Sequence, residues 1–163
     1  GKIGWLKPTL SHVSTSPRSD LGQIKVGPFY AIGGAMAVHK NVFDKIGFLD
    51  EKYFLYFEDA DFSVRARKAG IPVEFVPEIK VSHSVSASTK KLGSPMILRY
   101  HYRNALYFNL KNGPWYVKSV LWIWRLTIIS KQIIKLAIGK NREESKAILR
   151  GVFDYYRRSY GKI

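Results

Sequence analysis

The stretch Tyr53-Phe-Leu-Tyr-Phe-Glu-Asp-Ala-Asp-Phe62 constrains this chain more than any other, because three carboxylates follow directly on a run of aromatic residues. Glu58, Asp59 and Asp61 repel one another and lose hydration beside apolar surface, a cost that is tolerated where a metal, a ligand or a helix end uses the charge. A short helix from Asp59 to Gly70 supplies one such use. Phe62, Val64, Ala66 and Ala69 give it a partly apolar face, and Gly70 stands where a C-terminal cap belongs. The carboxylates then lie at the positive end of the helix dipole. Taken alone, an acidic first turn that caps a helix is the commoner reading, so the surrounding sequence has to decide whether more is present.

At 163 residues, nearly half of them apolar, the chain has the length for one domain with its own core. Cysteine is absent, which excludes a disulfide framework and thiolate chemistry and fits a reducing compartment. The net charge of +15 implies an anionic partner: nucleic acid, phospholipid headgroups or a phosphorylated substrate. Residues 1–110 carry 15 Lys and Arg against 9 Asp and Glu, whereas 111–163 carry 12 against 3, so the basic character is concentrated in the C-terminal third. The opening Gly1-Lys-Ile-Gly-Trp-Leu-Lys-Pro lacks the apolar run of a signal peptide and reads as the middle of a longer protein.

Residues 1–28, rich in Ser, Pro, Thr and Gly, read as loop with one short strand around Ile3–Leu6. Phe29–Val38 is an apolar run interrupted by Gly33-Gly34. It predicts a buried strand whose glycines serve either close approach of a ligand or a packing bulge. Asn41–Ile46 predicts a short helix ended by Gly47. After the acidic segment, Ile71–Val76 alternates as a strand, Pro77 breaks the ladder, and Ile79–His83 continues as a second extended piece. His83 at its end is, by itself, most often structural or solvated. Ser84–Gly93 reads as a polar loop.

From Ser94 the period becomes helical. Ser94 is the expected N-cap, Pro95 opens the helix, and it runs through Asn112 to Gly113. A second helix starts at Pro114 with Trp115, Trp122, Ile129 and Leu136 at intervals of seven and Leu126 and Ile133 beside them, one apolar stripe. Lys118, Arg125, Lys131 and Lys135 interrupt the run, which argues against a transmembrane span. Such a helix either lies in a membrane interface or packs on the domain. A last helix, about 142–158, places Ile148, Val152, Tyr155 and Tyr156 on one face.

The continuous stretch Gly33–Gly70, with Val76-Pro-Glu and His83 after it, resembles the C-terminal half of the catalytic domain of family 2 glycosyltransferases, nearest to the rhamnosyltransferase-like and galactofuranosyltransferase-like members. The match covers roughly residues 28–112. It implies an α/β chain, the C-terminal portion of a GT-A (nucleotide-diphospho-sugar transferase) fold, followed by amphipathic helices. Residues 1–112 would be the acceptor-side half of the catalytic domain, and 113–163 a basic helical extension. The implied reaction moves a sugar, such as rhamnose, from a nucleotide-diphospho-sugar to an acceptor hydroxyl with inversion, in cell-surface polysaccharide or glycolipid synthesis.

Under this resemblance Asp59 matches the general base and Glu58 the acidic neighbour that positions the acceptor, while Asp61 more closely matches a residue that braces the helix. His83 matches the strand-end ligand of a divalent metal, Mg2+ or Mn2+. Gly33, Gly34 and Ala35 match the acceptor-lining strand, Ser84–Gly93 a loop that orders over bound donor, and Arg103, in an Arg-Asn pair, a contact to the donor diphosphate. Asp59-Ala-Asp61 has Asp-x-Asp spacing, but the family's metal motif lies upstream, in a nucleotide-binding half with no counterpart in residues 1–28. This segment alone is therefore expected to bind donor poorly. The resemblance implies a nucleotide-sugar donor and a saccharide or lipid-linked acceptor, while the basic, tryptophan-bearing helices over 114–163 point to contact with a membrane surface and so to a cytoplasmic location at the inner membrane face. The alternative is a non-catalytic basic module for a membrane surface or another anionic ligand. Nucleic acid is the weaker partner, because the tryptophans lie on an apolar helical stripe and not on an exposed sheet.

Overall fold

The computed structural model describes residues 1–5, 9–11, 29–76, 78–79, 81 and 93–163. Strands β1 (Lys2–Gly4) and β2 (Thr9–Ser11) pair antiparallel with Ile3 opposite Leu10, and Phe29 adds a single bridge to Lys2. Helix α1 (Lys40–Ile46) is capped by His39, whose Nδ1 accepts the Asn41 N–H at 3.3 Å. It closes at Gly47, whose N–H returns to the Phe43 carbonyl at 2.8 Å. Helix α2 (Glu58–Lys68) carries the acidic motif in its first turn and ends before Gly70, which adopts the positive φ of +76° that favours glycine.

Three longer helices follow. Helix α3 (Gly93–Asn112) begins one residue before Ser94, so the expected N-cap lies inside its first turn, and Gly113 separates it from α4 (Trp115–Ala137). A side chain at Gly113 would lie 2.4 Å from the Asn109 carbonyl oxygen, so the turn admits only glycine without rearrangement. Helix α5 (Arg142–Tyr156) doubles back along α3 and touches α4. Its seat on α3 is fixed by a two-pronged ion pair, Arg99 Nε and Nη2 to Asp154 at 2.6 and 3.0 Å, and by Gly151, which presses directly on the Arg99 backbone.

Helix α3 serves two apolar clusters at once. Ala105 and Phe108 join Ile3, Tyr30, Tyr53, Phe57, Ala60 and Val64 around the acidic motif, while Leu106 joins Leu121 and Val152 between the C-terminal helices. Trp5 stacks nearly flat on Phe108, 5.4 Å between centroids, and so anchors the small sheet to the same helix.

Among the described residues the chain is mostly helical, and its strands are confined to β1 and β2. The expected strand at 29–38 is instead an extended lead-in and a 3-10 turn, Gly33–Ala35. The segment 71–76 pairs with no described strand despite its alternation, and Phe75, Val76, Ile79 and Val81 are exposed. The physical reason is that alternation specifies which face of an extended segment is buried, whereas a strand also requires a backbone neighbour to complete its ladder. Lys80, His83 and 84–92 of the expected loop lie outside the described residues.

The Gly151 contact is directly testable. An alanine methyl there would meet the Arg99 carbonyl oxygen at 2.3 Å, so Gly151→Ala must push α5 off α3. The expected cost is about 1–3 kcal/mol, read as a fall in Tm of roughly 3–10 °C in thermal unfolding.

Candidate active site

The acidic motif owes its shape to an unusual backbone. Phe54, Tyr56 and Phe57 all adopt positive φ (60°, 65° and 74°), a region that bulky side chains avoid at a cost of about 1 kcal/mol or more each. Packing and hydrogen bonds hold them there. Tyr53 and Phe57 are buried, with Phe57 lying against Phe108 and His101 at 5.5 and 5.2 Å. The side-chain amide of Asn104 reaches the carbonyls of Tyr53, Leu55 and Tyr56 at 2.6–3.1 Å. The chain is thereby turned through three residues and delivered into α2 with Glu58 and Asp59 at its start.

Asp61 is the buried member of the three carboxylates. It accepts hydrogen bonds from Tyr53 Oη (3.1 Å), Arg65 Nε (2.8 Å), Lys111 Nζ (2.9 Å) and Asn112 Nδ2 (2.7 Å), so its charge is fully compensated and it braces α2 against α3 as expected. Asp61 raises the Tyr53 hydroxyl far above the ordinary tyrosine range, second to the effect of burial.

Asp59 faces the other way, toward the segment that precedes α1. Its Oδ2 accepts the Gly33 N–H at 3.0 Å and its Oδ1 the N–H of Ala60 at 2.7 Å. Four residues on, Ser63 Oγ accepts the Ala31 N–H at 3.0 Å, and four further on Arg67 donates to the Phe29 carbonyl. Positions 59, 63 and 67 of one helical face thus grip alternate residues 33, 31 and 29 of an extended chain. The spacings match because four helical residues rise about 6 Å and two extended residues about 6.6 Å. Tyr30 lies inside this arrangement, and burial, followed by the nearby Asp59 and Glu58 carboxylates, pushes its hydroxyl up to about 12.

Glu58 differs from both. Its Oε2 is buried with no hydrogen-bond partner among the described residues, and burial, with the Asp59 charge adding to it, raises its pKa above the usual carboxylate range. It lines an open cavity of about 620 Å³ together with Asp50, Lys52, Phe54, Tyr160 and Lys162. A second cavity of about 620 Å³ is lined by Tyr30, Gly33, Gly34, Ala35, Arg67 and the segment 73–76. The two acidic neighbours therefore address different spaces: Glu58 the first, and Asp59, through its bond to Gly33, the edge of the second.

The structure therefore brings Asp59 and Gly33 together, with Gly34 and Ala35 continuing past them in an exposed turn. It does not bring Arg103 to them. Arg103 is fully buried, and all five of its N–H donors are taken: Asn104 Oδ1 by Nε, the Ser159 and Gly161 carbonyls by Nη1, the Lys52 and Tyr53 carbonyls by Nη2. A guanidinium so occupied has no donor left for a diphosphate, and the expected donor contact is corrected to a structural clamp. His83, the expected metal ligand, lies outside the described residues, and no group of three His, Asp or Glu side chains among the described residues converges to hold a metal.

Two features were not anticipated from the sequence. The C-terminal residues 160–162 close one wall of the Glu58 cavity, and no local pattern in them announces it. The i, i+4, i+8 set Asp59, Ser63 and Arg67 does leave a signal, one polar file along α2.

No family model matches the chain, and no solved structure matches it. Among curated proteins the chain is similar to sugar transferases. The N-acetylglucosaminyl-diphospho-decaprenol L-rhamnosyltransferase of Mycobacterium tuberculosis is 25% identical over 121 residues, which are 73% of this chain and 39% of that protein. A dTDP-rhamnosyl transferase of Shigella flexneri is 30% identical over 98 residues, 56% of this chain and 33% of the relative. A low-salt glycan biosynthesis hexosyltransferase of Haloferax volcanii is 28% identical over 75 residues, 46% of this chain and 24% of the relative. The chain spans less than two fifths of the length of these relatives.

The Arg103 clamp makes a prediction of its own. Lysine offers three donors on a flexible stem in place of a rigid five-donor fork. Arg103→Lys should cost on the order of 2–4 kcal/mol in denaturant unfolding. It should also speed amide exchange at Gly161, whose N–H bonds the Lys52 carbonyl at 2.9 Å. A diphosphate-binding Arg103 would instead leave stability unchanged.

Proposed function

We propose that the chain is the acceptor-side half of an inverting, family 2 glycosyltransferase with a GT-A fold, rhamnosyltransferase-like in its sugar chemistry. The observation that carries this reading is the Asp59 carboxylate, fixed by the Gly33 N–H at a partly exposed helix start beside a cavity, with rhamnosyl- and hexosyltransferases as the similar proteins. Residues 1–112 would form the catalytic portion and 113–163 the helical extension. The nucleotide-binding half would be supplied outside this segment.

In this reading Asp59 is the general base. It takes the proton of an acceptor hydroxyl as that oxygen bonds to the anomeric carbon, and the nucleoside diphosphate leaves from the opposite face with the electrons of the broken glycosidic bond. Glu58 and the exposed Phe54 face the other cavity, so they would meet only a portion of the acceptor that extends past the start of α2 from the Asp59 edge. Gly33, Gly34 and Ala35 would leave room on the acceptor side. A nucleotide-sugar donor and a saccharide or diphospho-lipid acceptor agree with the names of the relatives. His83 would be this segment's ligand to a Mg2+ or Mn2+ ion that neutralises the donor diphosphate, although the described residues do not assemble a metal site by themselves. Arg103, consumed in its clamp, takes no part.

Two substitutions in the full-length transferase test this. Asp59→Asn should lower kcat by about 10²–10⁴-fold while donor binding by titration survives, and near-normal turnover would sink the base assignment. His83→Ala should weaken donor binding only in the presence of metal. An unchanged metal titration would reject the ligand role.

A further inference from the structure

The apolar stripe expected on α4 divides in two. Val117, Leu121, Trp124, Ile128 and Gln132 face inward. There Leu121 meets Leu106 and Val152, Trp124 stacks on Tyr102 at 6.0 Å, and Gln132 accepts the Ser145 hydroxyl at 3.1 Å. The outward side is apolar as well: Trp115 is 79% exposed, Trp122 52%, Leu126 55% and Ile133 55%, with Ile123 and Ile134 between them. A helix that is apolar all round needs cover on both sides, and among the described residues only the inner side has it.

Charge selects the cover. Helix α4 contains Lys118, Arg125, Lys131 and Lys135 and no acidic residue, and the whole chain carries +15. Lys118 and Lys131 are exposed and flank the outward face on its two sides, while Arg125 leans over the Tyr156 ring. A second copy of the chain would bring two such cationic rims together, which costs energy in proportion to their proximity. An anionic surface is attracted by every one of them. The helix is about 35 Å long at 1.5 Å per residue, yet no helix among the described residues is long and apolar enough to cross a membrane.

We infer that the outward face of α4 lies in the interface of an anionic lipid bilayer, with Trp115, Trp122, Leu126 and Ile133 at the headgroup–acyl boundary and Lys118 and Lys131 against the lipid phosphates. The cytoplasmic leaflet of a cell membrane is a surface of that charge. The inference stands apart from the transfer reading, since it uses no residue of the Asp59 site and is measured without sugar transfer.

The test is flotation of the whole chain with phosphatidylcholine vesicles, with and without phosphatidylglycerol. The wild type should float with the mixed vesicles and lose binding as salt is raised. Trp122→Glu/Ile133→Glu should weaken binding at least about tenfold while the thermal transition is kept, and Lys118→Gln/Lys131→Gln should weaken it only on phosphatidylglycerol-containing vesicles. Should the glutamates unfold the chain, Trp122→Ser/Ile133→Ser gives the same reading without added charge. Flotation unchanged by these apolar substitutions overturns the inference. A lipid-free wild-type dimer that they convert to monomer also overturns it, by assigning the face to a second copy.

Discussion

A single guanidinium ties the acidic motif to the C-terminal residues. Among the described residues Arg103 is buried with no carboxylate bonded to it, a costly placement for a charge, and it is tolerated because every N–H finds an oxygen and the Tyr100 ring lies 5.0 Å beneath it. Its two forks grasp different parts of the chain, carbonyls 52–53 on one side and 159 and 161 on the other. The acidic motif, the C-terminal residues and the middle of α3 therefore move as one body. The Glu58 cavity exists between the first two of these, so its width is set by a residue that does not line it.

Adjacent to Arg103, Asn104 holds the carbonyls of Leu55 and Tyr56 within the strained turn, and Asp61 locks the other end of the same turn through Tyr53, Lys111 and Asn112. Strain at Phe54, Tyr56 and Phe57 is thus held from both sides by polar groups of α3. These groups are neutral or mutually compensated, which lets the neighbouring Glu58 and Asp59 remain comparatively unpaired. Three carboxylates within four residues coexist because one of them is neutralised internally and the other two diverge.

The helices, the glycines that end α1, α2 and α3, and the separate role of Asp61 were legible in the sequence, because periodicity, Gly and Pro punctuation and the acidic first turn are local signals. What failed was non-local. The segments 29–38 and 71–76 have strand-like composition, but pairing depends on neighbours that composition does not encode. Arg103 is matched to a phosphate ligand only through the resemblance, and a guanidinium in a helix after a polar loop has the same local appearance whether it points out or in. The apolar Ala105-Leu106 that follows it is the hint of burial. For α4, the interval of seven found one stripe, whereas the helix is apolar on two sides and only packing by α3 and α5 tells them apart.

The bond between Gly33 and Asp59 also bears on why residue 33 has no side chain. Its φ is not in the left-handed region, and a methyl group there would rest at ordinary contact distance, 3.6 Å from the Asp59 Cβ and 3.7 Å from Oδ2, so neither backbone conformation nor crowding demands glycine. What the methyl would do is roof over the carboxylate oxygen that the backbone N–H already orients. Glycine at 33 leaves that oxygen aimed yet uncovered, with its remaining lone pair open to whatever approaches along the turn.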